Sequence, residues 1–183
     1  MYIDTAVTAI AGFEGRVHWM YLDTEGNVTV GVGEELASPE AAIKFPFRRQ
    51  TAELAETPEI IAEYALVKLM KPGLVASAYR RMSSLLLDDI AITQTLRFTV
   101  TEYAEELTKL FPLFPGFPDS AKVGLLDMQF NMGINRLRKD FPDFCNAVNS
   151  LRWPVAAMQC HRAAVSAARN AWTAEQFVKC GTF

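Results

Sequence analysis

Strand patterning bounded by turn residues marks one hairpin in this chain, which alone supports only a small sheet. Trp19–Leu22 and Val28–Val32 are short runs of β-branched, aromatic and aliphatic residues, joined through Asp23-Thr24-Glu25-Gly26-Asn27, a turn-rich link of five residues. The spacing predicts a β-hairpin. In its second strand Val28, Val30 and Val32 share one face by the period of two, and Thr29, Gly31 and Gly33 share the other. The valines belong against a core. The glycine side is bare, so a bulky ligand can approach the backbone at Gly31 and Gly33 while the Thr29 hydroxyl holds a water beside it.

Everything flanking the hairpin reads as helix. Ile3, Val7, Ile10 and Glu14 fall at helical spacing, with Asp4 or Thr5 as N-cap and Gly15 as the stop. Glu14 is therefore expected on the buried side of a helix C-terminus, where poor solvation and the helix dipole both disfavour a charged carboxylate and raise its pKa. Ser38-Pro39-Glu40 opens a short helix that Phe45-Pro46-Phe47 interrupts. Thr57-Pro58-Glu59 opens a second, striped by Ile60, Tyr64, Val67 and Met70 or Lys71 and stopped by Pro72-Gly73. Leu74–Leu87 reads as a further helix. From Asp89 to Leu110 the β-branched residues favour strand, but the stripe Ile92, Leu96, Val100, Tyr103, Leu107 and Leu110 is too long for one and predicts helix. The proline-rich segment 111–118 cannot continue it and makes the best hinge. Asp119 then caps a helix carrying AKVGLLDMQFNMG, Phe141-Pro142 and Trp153-Pro154 open short ones, and Ser166 caps the last. After residue 35 only helices are expected. The fold class is α+β: a small N-terminal lobe of helix and hairpin, about residues 1–60, and a larger all-helical lobe, about 61–183, with a cleft between them.

Two acids and a hydroxyl on a hairpin suggest a reaction. Asp23 follows Glu14 by nine residues and Thr29 follows Asp23 by six. Glycoside hydrolysis uses one protonated carboxyl to donate to the glycosidic oxygen and one ionised carboxylate for the water; inversion needs them roughly 6.5 to 9.5 Å apart. On the later helix Met128, Phe130, Met132 and Phe144 read as core, and Asp127, Gln129 and Asn131 as candidates to line the cleft. His18 and His161 stand far apart without ligating neighbours, so both read as structural or surface residues and no metal or cofactor is expected. Gly31-Val32-Gly33 lacks the following glycine or lysine of a phosphate loop.

Composition excludes other classes. A net charge of −3 argues against a nucleic-acid partner. Half the residues are hydrophobic, enough for a sizeable core. The odd set Cys145, Cys160 and Cys180, without CxxC spacing, reads as free thiols of a protein made in a reducing cytoplasm. MYIDTAVTAI has no basic start and is not a Sec signal, and no run reaches the roughly 18 apolar residues of a membrane span. A substrate outside the membrane would require delivery through a holin lesion or a contact-dependent secretion machine.

The stretch EGRVHWMYLDTEGNVTVGVG resembles the catalytic signature of the T-even-phage-type lysozymes, with the Glu, Asp and Thr spacings intact. Ala121–Gly133 is similar to the core helix of that family's helical lobe, and Trp153–Phe177 to its closing helices. The resemblance implies a lysozyme-like fold in which Glu14 is the general acid, Asp23 and Thr29 position the attacking water, and Arg169 pairs with the catalytic Glu. It implies a muramidase cleaving the β-1,4 bond between N-acetylmuramic acid and N-acetylglucosamine in peptidoglycan, with inversion. Two departures stand out: Glu34 takes the place where phage members commonly carry His, and residues 35–118 are longer than, and unlike, the corresponding phage segment. That middle resembles lysozyme-domain toxins used between bacteria, as does the closing pattern formed by Arg169, Asn170, Thr173 and Phe177. The expected roles are therefore antibacterial toxin, accompanied by a cognate immunity protein, or prophage endolysin, acting in the periplasm or cell wall. The alternative from another class is a catalytically weak wall-binding or inhibitor-binding module on the same scaffold; within the enzymes, chitinase-like and transglycosylase outcomes are the rivals.

Overall fold

The computed structural model describes residues 1–181. The chain opens with α1 (Tyr2–Glu14), β1 (Val17–Leu22), β2 (Val28–Gly31) and β3 (Glu34–Glu35). There follow α2 (Pro39–Ala42), β4 (Arg48–Arg49), α3 (Thr57–Lys68), α4 (Ala76–Tyr79), β5 (Leu85–Leu86) and α5 (Asp89–Leu110). The remainder is helical: α6 (Asp119–Met132), α7 (Ile134–Asp140), α8 (Pro142–Asn149), α9 (Trp153–Gln159) and α10 (Ala167–Val178). The class is α+β. No helix among the described residues is long and apolar enough to cross a membrane. Two compact units divide the chain: Glu14–Leu96, and Met1–Phe13 together with the chain from Arg97 onward. The divisions thus fall at the end of α1 and inside α5.

In the Glu14–Leu96 unit the hairpin forms as its link predicts. Gly15 takes φ +77°, a conformation that ends α1 and turns the chain into β1. β1 pairs antiparallel with β2, Tyr21 opposite Thr29 and Leu22 opposite Val28, with an irregularity between Val17 and Tyr21. Beyond the hairpin, β3 pairs with the other edge of β2. As the central strand, β2 is buried along its whole length. This corrects the expectation of a bare glycine face: a Cβ at Gly31 would meet the Ile92 side chain at 3.6 Å, so a neighbouring side chain fills that space. Gly33 is exposed, with open space around it.

Helix starts follow local chemistry. The Ser38 side chain accepts from Ala41 N ahead of Pro39. The cap of α3 lies one residue before the expected Thr57, at Glu56, whose backbone N–H donates to Glu59 at 2.7 Å. Ile60, Tyr64 and Val67 of α3 are buried, and the helix packs on β1 and β2. A larger correction concerns Leu74–Leu87, which is not one helix. It contains the single turn α4, a 3₁₀ turn, and β5, which pairs with β4. The cause lies elsewhere in the chain. Glu63 is buried, and its carboxylate accepts from the Ser83 hydroxyl at 2.6 Å, from Ser84 N and Oγ at 2.8 and 2.7 Å, and from Leu85 N at 3.0 Å. Those donors satisfy a buried charge that would otherwise be very costly, and they hold the backbone out of a helix. Sheet structure therefore continues past residue 35.

The other unit is built around α6. Its residues from Ala121 to Gln129 are buried without a break, so every polar side chain in that run needs a partner. Lys122 donates to Pro115 O at 2.9 Å and lies over the Tyr2 ring. Gln129 donates to Glu106 at 2.6 Å. Asp127 takes the two arginines described below. Gly124 is where α10 comes closest: a Cβ there would lie 2.8 Å from the Phe177 ring, which stacks edge-on against Phe144. Ser166 caps α10 by accepting from Arg169 N, as expected.

Candidate functional site

The turn between β1 and β2 positions Asp23 through its own backbone. Asp23 N donates to Asn27 O at 3.0 Å and Gly26 N to Asp23 O at 3.2 Å, which closes the loop. The Oδ1 atom of Asp23 accepts from Glu25 N at 2.9 Å and Asn27 N at 2.8 Å. One oxygen is thereby committed to the turn. Among the described residues the other, Oδ2, has only the Asn27 side-chain amide at 3.4 Å. Lys68 of α3 secures the loop from outside by donating to Gly26 O at 2.7 Å.

Thr29 is buried, and its hydroxyl donates to Asn27 O at 3.2 Å. Among the described residues none donates to its oxygen, whose lone pairs are left to accept. Directly across the ladder stands Tyr21, whose half-buried ring packs against Tyr79, with centroids 6.5 Å apart. Tyr79 is itself fixed by donating to Lys71 O at 2.7 Å. Burial, and after it the negative charges of Asp23 and Glu14, push the Tyr21 phenol above its ordinary pKa. Both acids thus act on one phenol within this unit.

Glu14 corrects the sequence expectation. The buried members of the α1 stripe are Ala6, Val7, Ile10 and Ala11, while the last turn, Gly12 to Glu14, is exposed. Next along the chain, Arg16 donates to Asp89 at 3.2 Å and to Thr93 at 3.0 Å. His18 is bound through Nδ1 to Leu87 O at 2.8 Å, a structural tie. Among the described residues no group of three or more His, Cys, Asp or Glu is placed to hold a metal ion. The thiols of Cys145, Cys160 and Cys180 are free and buried.

The remaining candidates lie in the helical unit and divide by exposure. Asn131 is exposed, whereas Gln129 and Asp127 are fully buried. Asp127 and Gln129 are therefore interior polar groups, a correction to their expected place on a cleft wall. Asp127 Oδ2 accepts from Arg162 Nη2 and from Thr173 Oγ1, both at 2.7 Å, and Oδ1 accepts from Arg169 Nε at 2.8 Å. Arg169 also lies over the Phe13 ring, 5.1 Å from its centroid. Asn170 binds the backbone of Arg162 through both its amide oxygen and its amide nitrogen. The closing pattern of Arg169, Asn170, Thr173 and Phe177 is thus an internal lock on α6.

Sequence reasoning gave no role to Arg162 or Glu63, and nothing local separates them from surface charges. Tyr21 was within reach: a five-residue link sets Leu22 opposite Val28 and hence Tyr21 opposite Thr29. No family model matches this sequence, and no curated protein sequence matches it.

Proposed function

We propose that this protein is a peptidoglycan hydrolase of lysozyme-like fold, a muramidase that cleaves the β-1,4 bond between N-acetylmuramic acid and N-acetylglucosamine with inversion. One observation carries the reading: Glu14 and Asp23 belong to the same unit and act on the same phenol, beside a hairpin turn that leaves one oxygen of Asp23 available. The signature resemblance of residues 14–33 supplies the substrate class. In the reaction, protonated Glu14 gives its proton to the glycosidic oxygen as the bond from that oxygen to the anomeric carbon breaks. A water held by Asp23 and Thr29 forms the new bond from the opposite face and passes a proton to Asp23. Exchange with solvent then returns the proton from Asp23 and reprotonates Glu14. Because Glu14 is exposed in the free protein, exclusion of water from it falls to the bound glycan. The protein acts in the periplasm or wall of a target cell, as a delivered toxin restrained by a cognate immunity protein or as an endolysin.

The test is the clearing of purified peptidoglycan suspensions. The wild type should clear them, and Glu14→Gln should lose about 10²-fold or more of that rate. Products should carry ordinary reducing ends rather than anhydro ends. Equal clearing by both proteins removes Glu14 from its role, and no clearing by the wild type removes the hydrolase reading in favour of a wall-binding module.

A further inference from the structure

The hydrogen bonds around Asp23 and Thr29 leave the water site incomplete. A water attacking an anomeric carbon directs one lone pair at the carbon, so its two protons and its second lone pair need partners. Ionised Asp23 only accepts, and Oδ2 is its less occupied oxygen. Thr29 has already committed its proton to Asn27 O, so towards a water it also acts as an acceptor. Two acceptors orient both protons, but neither addresses the second lone pair. The site needs one donor.

We infer that the Tyr21 hydroxyl is that donor and forms the third side of the water site with Asp23 and Thr29. This inference rests on the hydrolase reading and extends it. Tyr21 is the direct cross-strand partner of Thr29, which sets the two side chains on one face with Cβ atoms about 4.5 to 5.5 Å apart. Its ring is braced by Tyr79, so the hydroxyl is carried on a fixed lever. Among the described residues the Tyr21 hydroxyl makes no hydrogen bond, and the residue is only half buried, so a water can reach it. Burial and the two neighbouring carboxylates keep the phenol protonated, the form that donates.

Tyr21→Phe removes the oxygen and keeps the ring that packs on Tyr79. On purified peptidoglycan its kcat should fall about tenfold, the scale of one orienting hydrogen bond, with KM and melting temperature as in the wild type. Rates are taken per folded molecule, and Tyr79→Phe serves as the packing control: it loses the bond to Lys71 O, so it should melt lower, and its kcat should fall clearly less than that of Tyr21→Phe. A Tyr21→Phe enzyme with unchanged kcat overturns the inference and leaves the hydrolase reading standing. A raised KM with intact kcat also overturns it, because the hydroxyl would then bind sugar rather than water. A loss of kcat shared equally by Tyr79→Phe reduces Tyr21 to packing. An inactive wild type ends the hydrolase reading itself, and this inference with it.

Discussion

Asp127→Asn tests what holds the helical unit together. Asp127 is fully out of solvent, and the side chain of Arg162 is only 3% exposed. Arg162 Nη2 lies 2.7 Å from Asp127 Oδ2, and among the described residues Asp127 is its only ion-pair partner. The substitution keeps size and shape but removes the charge, leaving a buried guanidinium without its anion and turning one acceptor of Asp127 into a donor facing donors. Breaking a buried pair from one side costs about 3–5 kcal/mol. For a chain of this length each kcal/mol lowers the melting temperature by roughly 2–4 °C, so a fall of about 6–20 °C is expected. Glu175→Gln is the comparison, because it breaks an exposed i,i+4 pair with Lys179 and should cost only about 0.3–0.5 kcal/mol. Thermal unfolding followed by circular dichroism measures both. The reasoning predicts further that adding Arg162→Met to Asp127→Leu recovers part of the stability lost in Asp127→Leu alone, since the double variant no longer buries the Arg162 guanidinium without its anion. An Asp127→Asn protein that melts with the Glu175→Gln protein would refute the account of the lock.

Two other perturbations probe the Glu14–Leu96 unit. Glu63→Leu should free Ser83–Leu85 and speed amide exchange at Leu85 by tenfold or more, whereas Glu63→Gln should be milder, because the Ser83 hydroxyl can turn to accept from the new amide; unchanged exchange in the leucine variant would show that β5 does not depend on this carboxylate. At the start of α5, Asp88 accepts from Ala91 N at 2.8 Å, and that bond first, then Arg48, holds its carboxyl below the usual range. A lowered folded pKa means that the stabilisation is complete above the unfolded value of about 3.9 and disappears as pH falls through the folded value. Asp88→Ala should therefore cost about 1 kcal/mol at neutral pH and nearly nothing in strong acid; a melting-temperature gap that persists there would contradict the cap.

Several elements could be read before any tertiary contact was known, because their signals are local. The Asp23–Asn27 turn sets the hairpin register, Gly15 ends α1, Ser38 and Ser166 cap their helices, and the apolar stripe from Ile92 to Leu110 outweighs the β-branched residues of α5. The acids and hydroxyl of the candidate site were legible for the same reason: Asp23, Thr29 and their turn lie within a few residues of one another. Other features depend on partners distant in sequence. Leu74–Leu87 has a helical pattern, but Glu63 draws Ser83–Leu85 into a strand ladder. Gly31 looks bare in a hairpin, yet Ile92 fills its space and β3 makes β2 a central strand.

Sequence alone therefore determined where the hairpin turns, where the helices capped by Ser38 and Ser166 begin, and which acids flank the hairpin, since each depends on a few consecutive dihedrals and the side chains that satisfy them. Only the tertiary structure decided which polar groups are buried. It left Glu14 in solvent and enclosed Asp127, Gln129 and Arg162, because the cost of burying a charge is set by partners that folding brings from elsewhere in the chain.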